Sequence, residues 1–245
     1  MGARTLALTA IVASTLVLPP TICFAESKIG SAITVNNQVE GVTAEGARPL
    51  AAGSELYADE LVRTVGGESM AQLLFLDNTN LSVGPQAAVR LDKFVYDPNG
   101  QAGSVVISAS RGAFRFITGL QDPRNYVIKT AYAALGVRGT ELYFVKTSNA
   151  LQVQLIRGVV IVRTISGVVV VLDIPNMVVT VDRNGNASKP VIVNHPLVDF
   201  ASLGPPVTHY AGLFPSPIDQ ATGLAVAVVG IGAAVLGVRE KPASP

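Results

Sequence analysis

The chain is poor in the residue types on which many binding sites depend. It has no Trp, and aromatic residues make up only 6% of its 245 residues. So few aromatic side chains argue against a base-stacking platform for single-stranded nucleic acid. The net charge is +1 and the sequence has no basic cluster, so the electrostatic footprint of a nucleic-acid-binding surface is missing as well. We therefore predict no nucleic-acid partner.

Metal ligands and nucleophiles are equally scarce. The only histidines are His195 and His209, and both lie in a proline-rich segment. A zinc site normally needs three or four converging ligands, so we predict no metal and no cofactor. No Ser lies in a G-x-S-x-G elbow, and no catalytic triad can be assembled. We expect no enzymatic activity. Glycan or peptidoglycan hydrolysis stays open as an alternative, because it needs only two carboxylates about 5 to 9.5 Å apart.

The N-terminus has the composition of an export signal. One arginine precedes the apolar run Leu6–Leu18, and two prolines and a small-x-small sequence ending at Ala25 follow it. We predict a signal peptide over residues 1–25, with an uncleaved membrane anchor as the alternative. The only cysteine, Cys23, would be removed with the signal, and the mature chain would then have neither a disulfide nor a thiolate ligand.

Short apolar or alternating runs recur between residues 29 and 193, separated by turn-forming residues, and none has a helical period. This pattern predicts an all-β domain of many short strands, in a layered β-sandwich or β-roll, with a solenoid-like arrangement as the alternative. The predicted strands are 71–76, 81–83, 87–96, 105–108, 113–117, 125–130, 151–156, 159–164, 168–172 and 178–181.

Two kinds of short motif recur within this region. D-N-T-N, D-P-N-G and D-R-N-G-N superficially resemble calcium loops, but none continues to the distant Glu of an EF-hand, and we interpret them as hairpin turns. Arg-Gly followed by an apolar run occurs at Arg111-Gly112, Arg138-Gly139 and Arg157-Gly158. Because the spacings are unequal, we interpret these three sites as similar strand entries rather than as a repeat.

The composition changes after residue 193. Residues 194–222 are rich in proline and predict an extended linker. Residues 223–238 carry no charge, and we predict a transmembrane helix there, although 16 residues are just short of the usual length of about 17 to 25. A buried or surface-associated apolar helix is the alternative. The tail 239–245 begins with cations that suit a cytoplasmic end, and the Gly/Ala face of the helix would allow close self-association.

The segment Gly136–Thr140, GVRGT, lies between two β-type runs and reads as a compact turn. Glycine inside a strand pattern marks a bulge, a sharp bend or a close backbone approach, because it takes positive φ freely. The guanidinium of Arg138 has two interpretations. It can bind a partner carboxylate, or it can hydrogen-bond to carbonyl groups where Gly136 and Gly139 interrupt the ladder. We favour the second.

Five segments, in order, resemble the FecR domain family across residues 41–164. They are Leu50–Gly53, Leu74–Gly84, Gly112–Gly119, Gly136–Thr140 (preceded by Lys129-Thr130) and Gly158–Val162. Asn78 stands where the family usually has Gly, and Ala131 where it usually has Pro. We take the residues that carry the resemblance as candidates for a structural or partner-binding role: Asp77, Asn78, Gly84, Gly112, Phe114, Arg115, Gly119, Thr130, Gly136, Arg138, Gly139, Thr140 and Gly158.

The resemblance implies a place in the bacterial envelope. Well-known family members are inner-membrane regulators that relay a signal from an outer-membrane receptor to a sigma factor. They carry an anti-sigma region before the membrane helix and a docking domain of the secretin/TonB type after the FecR domain. We expect neither region here, because the apolar run 6–18 begins near the N-terminus and a proline-rich segment follows the β domain.

The function predicted from the sequence is therefore that of an exported, non-enzymatic protein. Its FecR domain would face the periplasm, anchored in the inner membrane by residues 223–238, and would bind an envelope protein or relay a signal. The predicted mechanism is recognition at a strand edge or surface. The alternative is a structural or assembly module that forms a homo-oligomer through its C-terminal helix.

Overall fold

The computed structural model describes residues 27–95 and 103–206 of the chain. These residues form thirteen β-strands, two short 3₁₀ turns and no α-helix, which confirms the all-β prediction for this part of the chain. The strands are β1 (Lys28–Thr43), β2 (Gly46–Pro49), β3 (Glu55–Tyr57), β4 (Leu61–Phe75), β5 (Asn80–Val83), β6 (Ala88–Val95), β7 (Ser104–Ile117), β8 (Tyr126–Lys129), β9 (Ala133–Lys146), β10 (Ala150–Thr164), β11 (Val169–Leu172), β12 (Met177–Asp182) and β13 (Val191–Ile192). The 3₁₀ turns are Pro123–Asn125 and Ala201–Leu203.

Several predictions concern residues outside this range. The predicted signal peptide, the D-P-N-G turn and the predicted helix 223–238 all lie outside the described residues. Within residues 27–95 and 103–206, no helix is long and apolar enough to cross a membrane.

The strands belong to one continuous hydrogen-bonded sheet. Neighbouring strands follow the order β13-β12-β10-β9-β8-β7-β5-β4-β1-β2, while β3 pairs with β1, β6 pairs with β4 and β7, and β11 pairs with β10. The β7–β8 ladder is parallel and the other ladders of the described sheet are antiparallel. Antiparallel pairing allows short connections between neighbours, so strands close in sequence are also close in space.

Five long strands, β1, β4, β7, β9 and β10, contain 14 to 16 residues each and bend near the middle. A residue with positive φ lies inside each of them: Asn37, Gly66, Gly112, Gly139 and Gly158. The alternation of buried and exposed residues changes phase there. In β9, for example, the buried residues have odd numbers from 133 to 137 and even numbers from 140 to 146. This phase change is the signature of an extra residue in a β-bulge, which bends the strand.

The bends fold the long strands back on themselves. Tyr132 lies immediately before β9 and Ser148 just after it, yet the Tyr132 hydroxyl donates a hydrogen bond to the Ser148 carbonyl. The Lys146 ammonium also lies 3.9 Å from the centre of the Tyr132 ring. A straight strand of this length would separate its ends by about 45 Å. The two halves of β9 therefore lie in different layers that face each other.

One hydrophobic core fills the space between the layers. A single cluster of buried side chains extends from Ile29 in β1 to Val181 in β12. Near its centre the rings of Phe114 and Phe144 stack with their centroids 4.8 Å apart, and both are fully buried. A flat sheet would leave one face of these strands in water, so the burial of this cluster depends on the bends.

The bends correct two sequence-based interpretations. Predicted strands 105–108 and 113–117 are halves of the single strand β7, and predicted strands 151–156 and 159–164 are halves of β10. The Arg-Gly pairs, interpreted as strand entries, lie in the middle of strands, where each glycine has positive φ. The glycine marks a change of direction within a strand that keeps its ladder on both sides of the bend.

The first part of the predicted linker packs on the domain. The Gln154 amide donates hydrogen bonds to the carbonyls of Val193 and His195, at 3.0 and 2.9 Å, and accepts one from the Leu197 N–H at 2.8 Å. Farther along, the Phe200 ring stacks on Tyr143 with a centroid distance of 6.1 Å. These contacts hold residues 193–203 against the β domain.

The neighbouring bends of β9 and β10 make a matched pair of substitutions informative. A Cβ at Gly158 would lie 2.3 Å from the Gly139 carbonyl oxygen, whereas a Cβ at Gly139 would have no atom within 4 Å. Gly139 has a φ of 56°, which Asn adopts readily and β-branched residues do not.

We expect Gly158→Ala to lower the free energy of unfolding by about 3 kcal/mol, because strain and overpacking act together. Gly139→Asn should cost less than about 1 kcal/mol, and Gly139→Val about 2 kcal/mol. Urea unfolding of the three variants measures these differences. Equal losses for Gly158→Ala and Gly139→Asn, or a Gly139→Val variant as stable as the wild type, would contradict the bulge geometry.

Candidate functional site at the strand bends

Many of the candidate residues meet along one line of the domain, which we call the bend seam. It consists of residues 77–79 in the β4–β5 turn, residues 118–121 after β7, and residues 138–140 and 158–159 at the bends of β9 and β10. Along this line, side-chain oxygens form hydrogen bonds with backbone N–H and carbonyl groups at places where the strand ladders are interrupted.

Three threonines supply most of these bonds. The Thr79 hydroxyl accepts a hydrogen bond from the Gly119 N–H at 3.1 Å. The Thr118 hydroxyl accepts one from the Thr140 N–H at 2.9 Å, and the Thr140 hydroxyl donates to the Val159 carbonyl at 2.8 Å. Since a buried backbone group without a partner is costly, these hydroxyls compensate for the ladder bonds that the bends remove.

Asp77 lies at the end of the bend seam formed by the β4–β5 turn. Its carboxylate is fully buried and accepts hydrogen bonds from the Thr79 N–H at 2.9 Å, the Thr79 hydroxyl at 2.8 Å and the Tyr126 hydroxyl at 2.7 Å. The Tyr126 oxygen in turn accepts a hydrogen bond from the Gln121 N–H at 2.9 Å. Asn78, with a φ of 65°, completes the turn in the left-handed region that Asn tolerates.

Burial raises the pKa values of both titratable groups in this network, Asp77 and Tyr126. Desolvation raises the pKa of Asp77 above its ordinary value of 3.8, although the hydrogen bonds from Thr79 and Tyr126 act in the opposite direction. Burial also raises the pKa of Tyr126, and the charge of Asp77 adds to the effect. Tyr126 therefore remains a hydrogen-bond donor at physiological pH, and the network holds two distant segments of the chain together.

Gly119 is required by a close approach of the backbone. A Cβ at this position would lie 2.2 Å from the Asp77 carbonyl oxygen and 2.5 Å from the Thr79 nitrogen. The neighbouring Leu120 N–H donates to the same Asp77 carbonyl at 2.8 Å. The segment after β7 therefore lies directly against the β4–β5 turn, which leaves no room for a side chain at residue 119.

The segment Gly136–Thr140 lies entirely within β9 and is a bend, not a turn between two strands. Only Gly139 has positive φ, and the Arg138 N–H donates to the Thr140 hydroxyl at 2.8 Å across the bulge. Gly136 is regularly paired with Ile161 on one side and Val127 on the other. The expectation that Gly136 interrupts the ladder is therefore wrong, and the expectation of a bulge at Gly139 is confirmed.

The Arg138 side chain projects from this bend into solvent. Among the described residues, its guanidinium forms neither a hydrogen bond nor an ion pair, so the favoured structural interpretation of Arg138 is not what the structure shows. The nearby Asp122 is already engaged, because hydrogen bonds from Arg124 lower its pKa to about 2, and Arg138 contributes only a smaller electrostatic effect. Arg138 is thus available to a ligand outside the described part of the chain.

Arg115 and Arg157 share one acidic partner, Glu141, which follows Arg138 by three residues in β9. Arg115 donates two hydrogen bonds to one oxygen of the Glu141 carboxylate, at 2.9 and 2.6 Å. Arg157 donates to the other oxygen at 3.2 Å. The Arg115 guanidinium also lies 5.9 Å from the centre of the Tyr143 ring. Two guanidinium groups and one carboxylate give this cluster a net positive charge.

Gly84 and Gly112 allow close contacts elsewhere in the domain. The Gly84 N–H donates to the Ala113 carbonyl at 2.8 Å, and a Cβ on Gly84 would lie 2.9 Å from the same oxygen. Gly112 forms the bend of β7 with a φ of 109°, and a Cβ there would lie 2.2 Å from the Ala87 Cβ. Both glycines shape the backbone and present no chemical group.

Phe114 and Thr130 also have structural positions. Phe114 is part of the stacked pair in the core. The Thr130 hydroxyl accepts hydrogen bonds from the N–H groups of Tyr132 and Ala133 and donates to the Ala133 carbonyl, which closes the connection between β8 and β9. Of the sequence-predicted residues, Arg115 and Arg138 therefore present charged side chains near the surface.

The residues that the sequence analysis missed are those whose partners are distant in sequence. Tyr126 lies 49 positions from Asp77, Thr118 lies 22 positions from Thr140, and Glu141 lies 26 positions from Arg115. A lone Tyr, Thr or Glu in a strand pattern carries no signal of such a contact. Only the pairing of strands brings these groups together.

The turn interpretation of D-R-N-G-N agrees with its hydrogen bonds. The Asp182 carboxylate accepts bonds from the N–H groups of Asn184 and Asn186 at 2.8 and 2.9 Å, and from the Asn186 amide at 2.8 Å. These bonds, led by that of the Asn186 side chain, lower the pKa of Asp182. In the described part of the chain, no group of three or more His, Cys, Asp or Glu residues is placed to hold a metal ion.

The bend seam predicts a specific loss of stability. Tyr126→Phe removes one donor from the buried Asp77 carboxylate and leaves the Gln121 N–H without its acceptor. We expect the free energy of unfolding to fall by about 2 kcal/mol. Tyr143→Phe is the matched control, because the Tyr143 hydroxyl has no hydrogen bond among the described residues. Urea unfolding compares the two variants, and equal effects would contradict the role of Tyr126.

Asp77 also predicts a dependence of stability on pH. Because the folded-state pKa is raised above 3.8, the folded state binds more protons between pH 3.8 and the raised pKa. The stabilisation from this group is complete below this window and is lost as the pH rises through it. We therefore expect wild-type stability, measured relative to Asp77→Asn, to decrease as the pH rises from 3.8 through the raised pKa of Asp77. A relative stability that increases with pH would contradict the assignment.

Comparison with known proteins gives the domain a family. The family model described as "FecR protein" matches residues 61–161. Two crystal structures of a candidate anti-sigma factor from Parabacteroides distasonis ATCC 8503, at 1.65 and 2.50 Å resolution, are similar to the chain with TM-scores of 0.45 and 0.43 and identities of 19% and 18%. Each likeness covers 54% of this chain and 60% of the solved chain. No curated protein sequence matches the chain significantly.

The matched span agrees with the resemblance seen in the sequence. It contains the segments Leu74–Gly84, Gly112–Gly119 and Gly136–Thr140, and it reaches Ile161 within the last segment. The span also includes the whole bend seam, from Asp77 to Val159. The predicted resemblance to the FecR domain family is therefore confirmed over residues 61–161.

Proposed function

We propose that the chain is a non-enzymatic regulatory module whose FecR domain binds a protein partner in the bacterial envelope. The observation that carries this proposal is the exposed Arg138 guanidinium at the bend of β9. It lies in the matched span, and no hydrogen-bond or ion-pair partner is available to it among the described residues. The surrounding motif residues shape the backbone that carries this charged side chain.

The chemistry of the partner follows from the charges around the bend seam. Glu141 follows Arg138 by three residues in β9, and its single carboxylate is shared by Arg115 and Arg157. A surface with excess positive charge favours an acidic segment, and arginine binds carboxylates with two parallel hydrogen bonds. The proposed partner therefore presents Asp or Glu side chains to this surface.

The hydrolytic alternative can be compared with two clefts of the described domain. Two open clefts, of about 380 and 510 Å³, each contain Glu40 as their only carboxylate. The Arg63 guanidinium lies 2.6 Å from the carboxylate of Glu40. Glycoside hydrolysis needs two carboxyl groups facing one cleft, so neither cleft favours the hydrolytic alternative.

The proposed location rests on the two ends of the sequence. An export signal over residues 1–25 would carry the domain across the inner membrane, and the apolar segment 223–238 would hold it there. The FecR domain would then face the periplasm, where Arg138 can meet an envelope protein.

The test is affinity purification of the full-length chain from native membranes in mild detergent. We expect a specific partner with the wild type and a loss of recovery of about tenfold or more with Arg138→Glu, because the charge reversal opposes an acidic partner. Arg183→Glu is the matched control, since Arg183 is also exposed and has no ion-pair partner among the described residues.

Thermal unfolding of both variants separates a binding effect from a folding effect. Equal stability together with loss of the partner in Arg138→Glu alone supports the proposal. Retention of the partner by Arg138→Glu would exclude this surface. Recovery of the chain without any specific partner would overturn the proposed function.

A further inference from the structure

The exposed apolar side chains of the domain are concentrated at one side of β10. Ten large apolar residues are exposed in the described part of the chain, and seven of them lie between residues 165 and 192. These seven are Ile165, Val168, Val169, Val171, Ile174, Val191 and Ile192. Strand β9 occupies one edge of β10, while β11 and β12 pair with the other edge. The apolar surface therefore follows the last strands of the sheet.

β11 is an edge strand, and its free side can be identified. The β10–β11 hairpin is closed by bonds between Thr164 and Val168, in which the Thr164 N–H donates to the Val168 carbonyl and the Val168 N–H donates to the Thr164 hydroxyl. Backbone groups alternate in direction along a strand. Since those of Val168 point toward β10, those of Val169 and Val171 point away from it. Among the described residues, β11 pairs with no second strand.

This edge lacks the features that normally prevent strand addition. Natural edge strands carry charges, prolines or bulges that block pairing with another chain. Residues 168–172 read VVVVL and contain none of these. Side chains 169 and 171 are each nearly half exposed, on the outer face of the sheet.

The two ends of β11 carry opposite charges without ion-pair partners in the described chain. Asp173 follows the strand directly, and Arg163 of β10 lies beside Val169 at its other end. Both side chains are exposed. An antiparallel copy of the same strand would bring each Asp173 toward an Arg163, whereas a parallel copy would place acid beside acid.

We propose that two copies of this chain associate by antiparallel pairing of β11 with β11, on a two-fold axis at Val171. In this register Val171 exchanges backbone hydrogen bonds with Val171 of the second copy, and Val169 faces Asp173 of that copy. Both pairs use residues whose backbone groups point outward. The second copy supplies an uncharged strand that matches the edge, and the two-fold symmetry closes the assembly as a dimer.

The neighbouring registers fit less well. Shifting the strands so that Val170 faces Val171 would oppose outward-pointing groups to inward-pointing ones, which breaks the ladder. Centring the axis on Val170 keeps the ladder but places Asp173 opposite Gly167 in the turn, farther from Arg163. The charges therefore select the register centred on Val171.

Disulfide formation by single cysteines tests the register in the full-length chain. The variants Val171→Cys and Val169→Cys are made in a Cys23→Ser background and oxidised in mild detergent. Directly opposed residues have Cα atoms about 5.5 Å apart, within disulfide range. Two copies of residue 169 would be about 14 Å apart. We expect a covalent dimer from Val171→Cys and none from Val169→Cys.

Charge substitution tests the same register without cysteine. In Val171→Lys the two lysines face each other, so we expect the dimer dissociation constant to rise about tenfold. In Val169→Lys each lysine faces Asp173 of the second copy, so the dissociation constant should stay the same or fall. Leu120→Lys is the control for an exposed apolar residue elsewhere. Analytical ultracentrifugation of the full-length variants measures all three.

Several outcomes would overturn the proposal. A monomeric wild type at every concentration, equal crosslinking at positions 169 and 171, or a dimer that Val171→Lys leaves intact each excludes this pairing. The measurement uses the purified chain alone, so failure here leaves the proposed partner of Arg138 unaffected, and failure of that partner leaves this dimer unaffected.

Discussion

The positive φ at the middle of the long strands is the constraint on which the rest of the domain depends. A 14-residue strand is far longer than the core it covers, and the only way to bury both halves is to bend it. Gly112, Gly139 and Gly158 take backbone angles that other residues disfavour, and at Gly112 and Gly158 a neighbouring strand approaches so closely that a Cβ would collide with it. Without these bends the sheet would have one layer and no enclosed core.

The same bends create the polar network that crosses the domain. Each bend interrupts a ladder, and a buried backbone group without a partner destabilises the fold. Thr118, Thr140 and Thr79 satisfy these groups with side-chain oxygens. Asp77 and Tyr126 extend the network to the β4–β5 turn, where a buried carboxylate is tolerated because three hydrogen bonds reach it. Many of the family-motif residues are therefore requirements of the backbone.

The two surfaces suited to recognition lie where side-chain or backbone groups have no hydrogen-bond partner within the described part of the chain. At the bend of β9, the backbone of Arg138 is held by Thr140 while its guanidinium points outward. Beside β10, β11 presents a row of valines and a backbone edge that pairs with no other strand among the described residues. The first surface is charged and suits an acidic partner, and the second is apolar and suits an identical strand. Because they use different elements, the two contacts can coexist.

The sequence by itself determined the fold class, the family and the position of the glycines, because short Val- and Ile-rich runs and Gly-containing motifs are local signals. The tertiary structure decided what each glycine does: a local pattern cannot distinguish a turn between two strands from a bend within one, as β7, β9 and β10 illustrate. It also decided that Asp77 meets Tyr126 and that Arg115 meets Glu141. Such contacts depend on which strands pair, and pairing is fixed only when the bent sheet closes around its core.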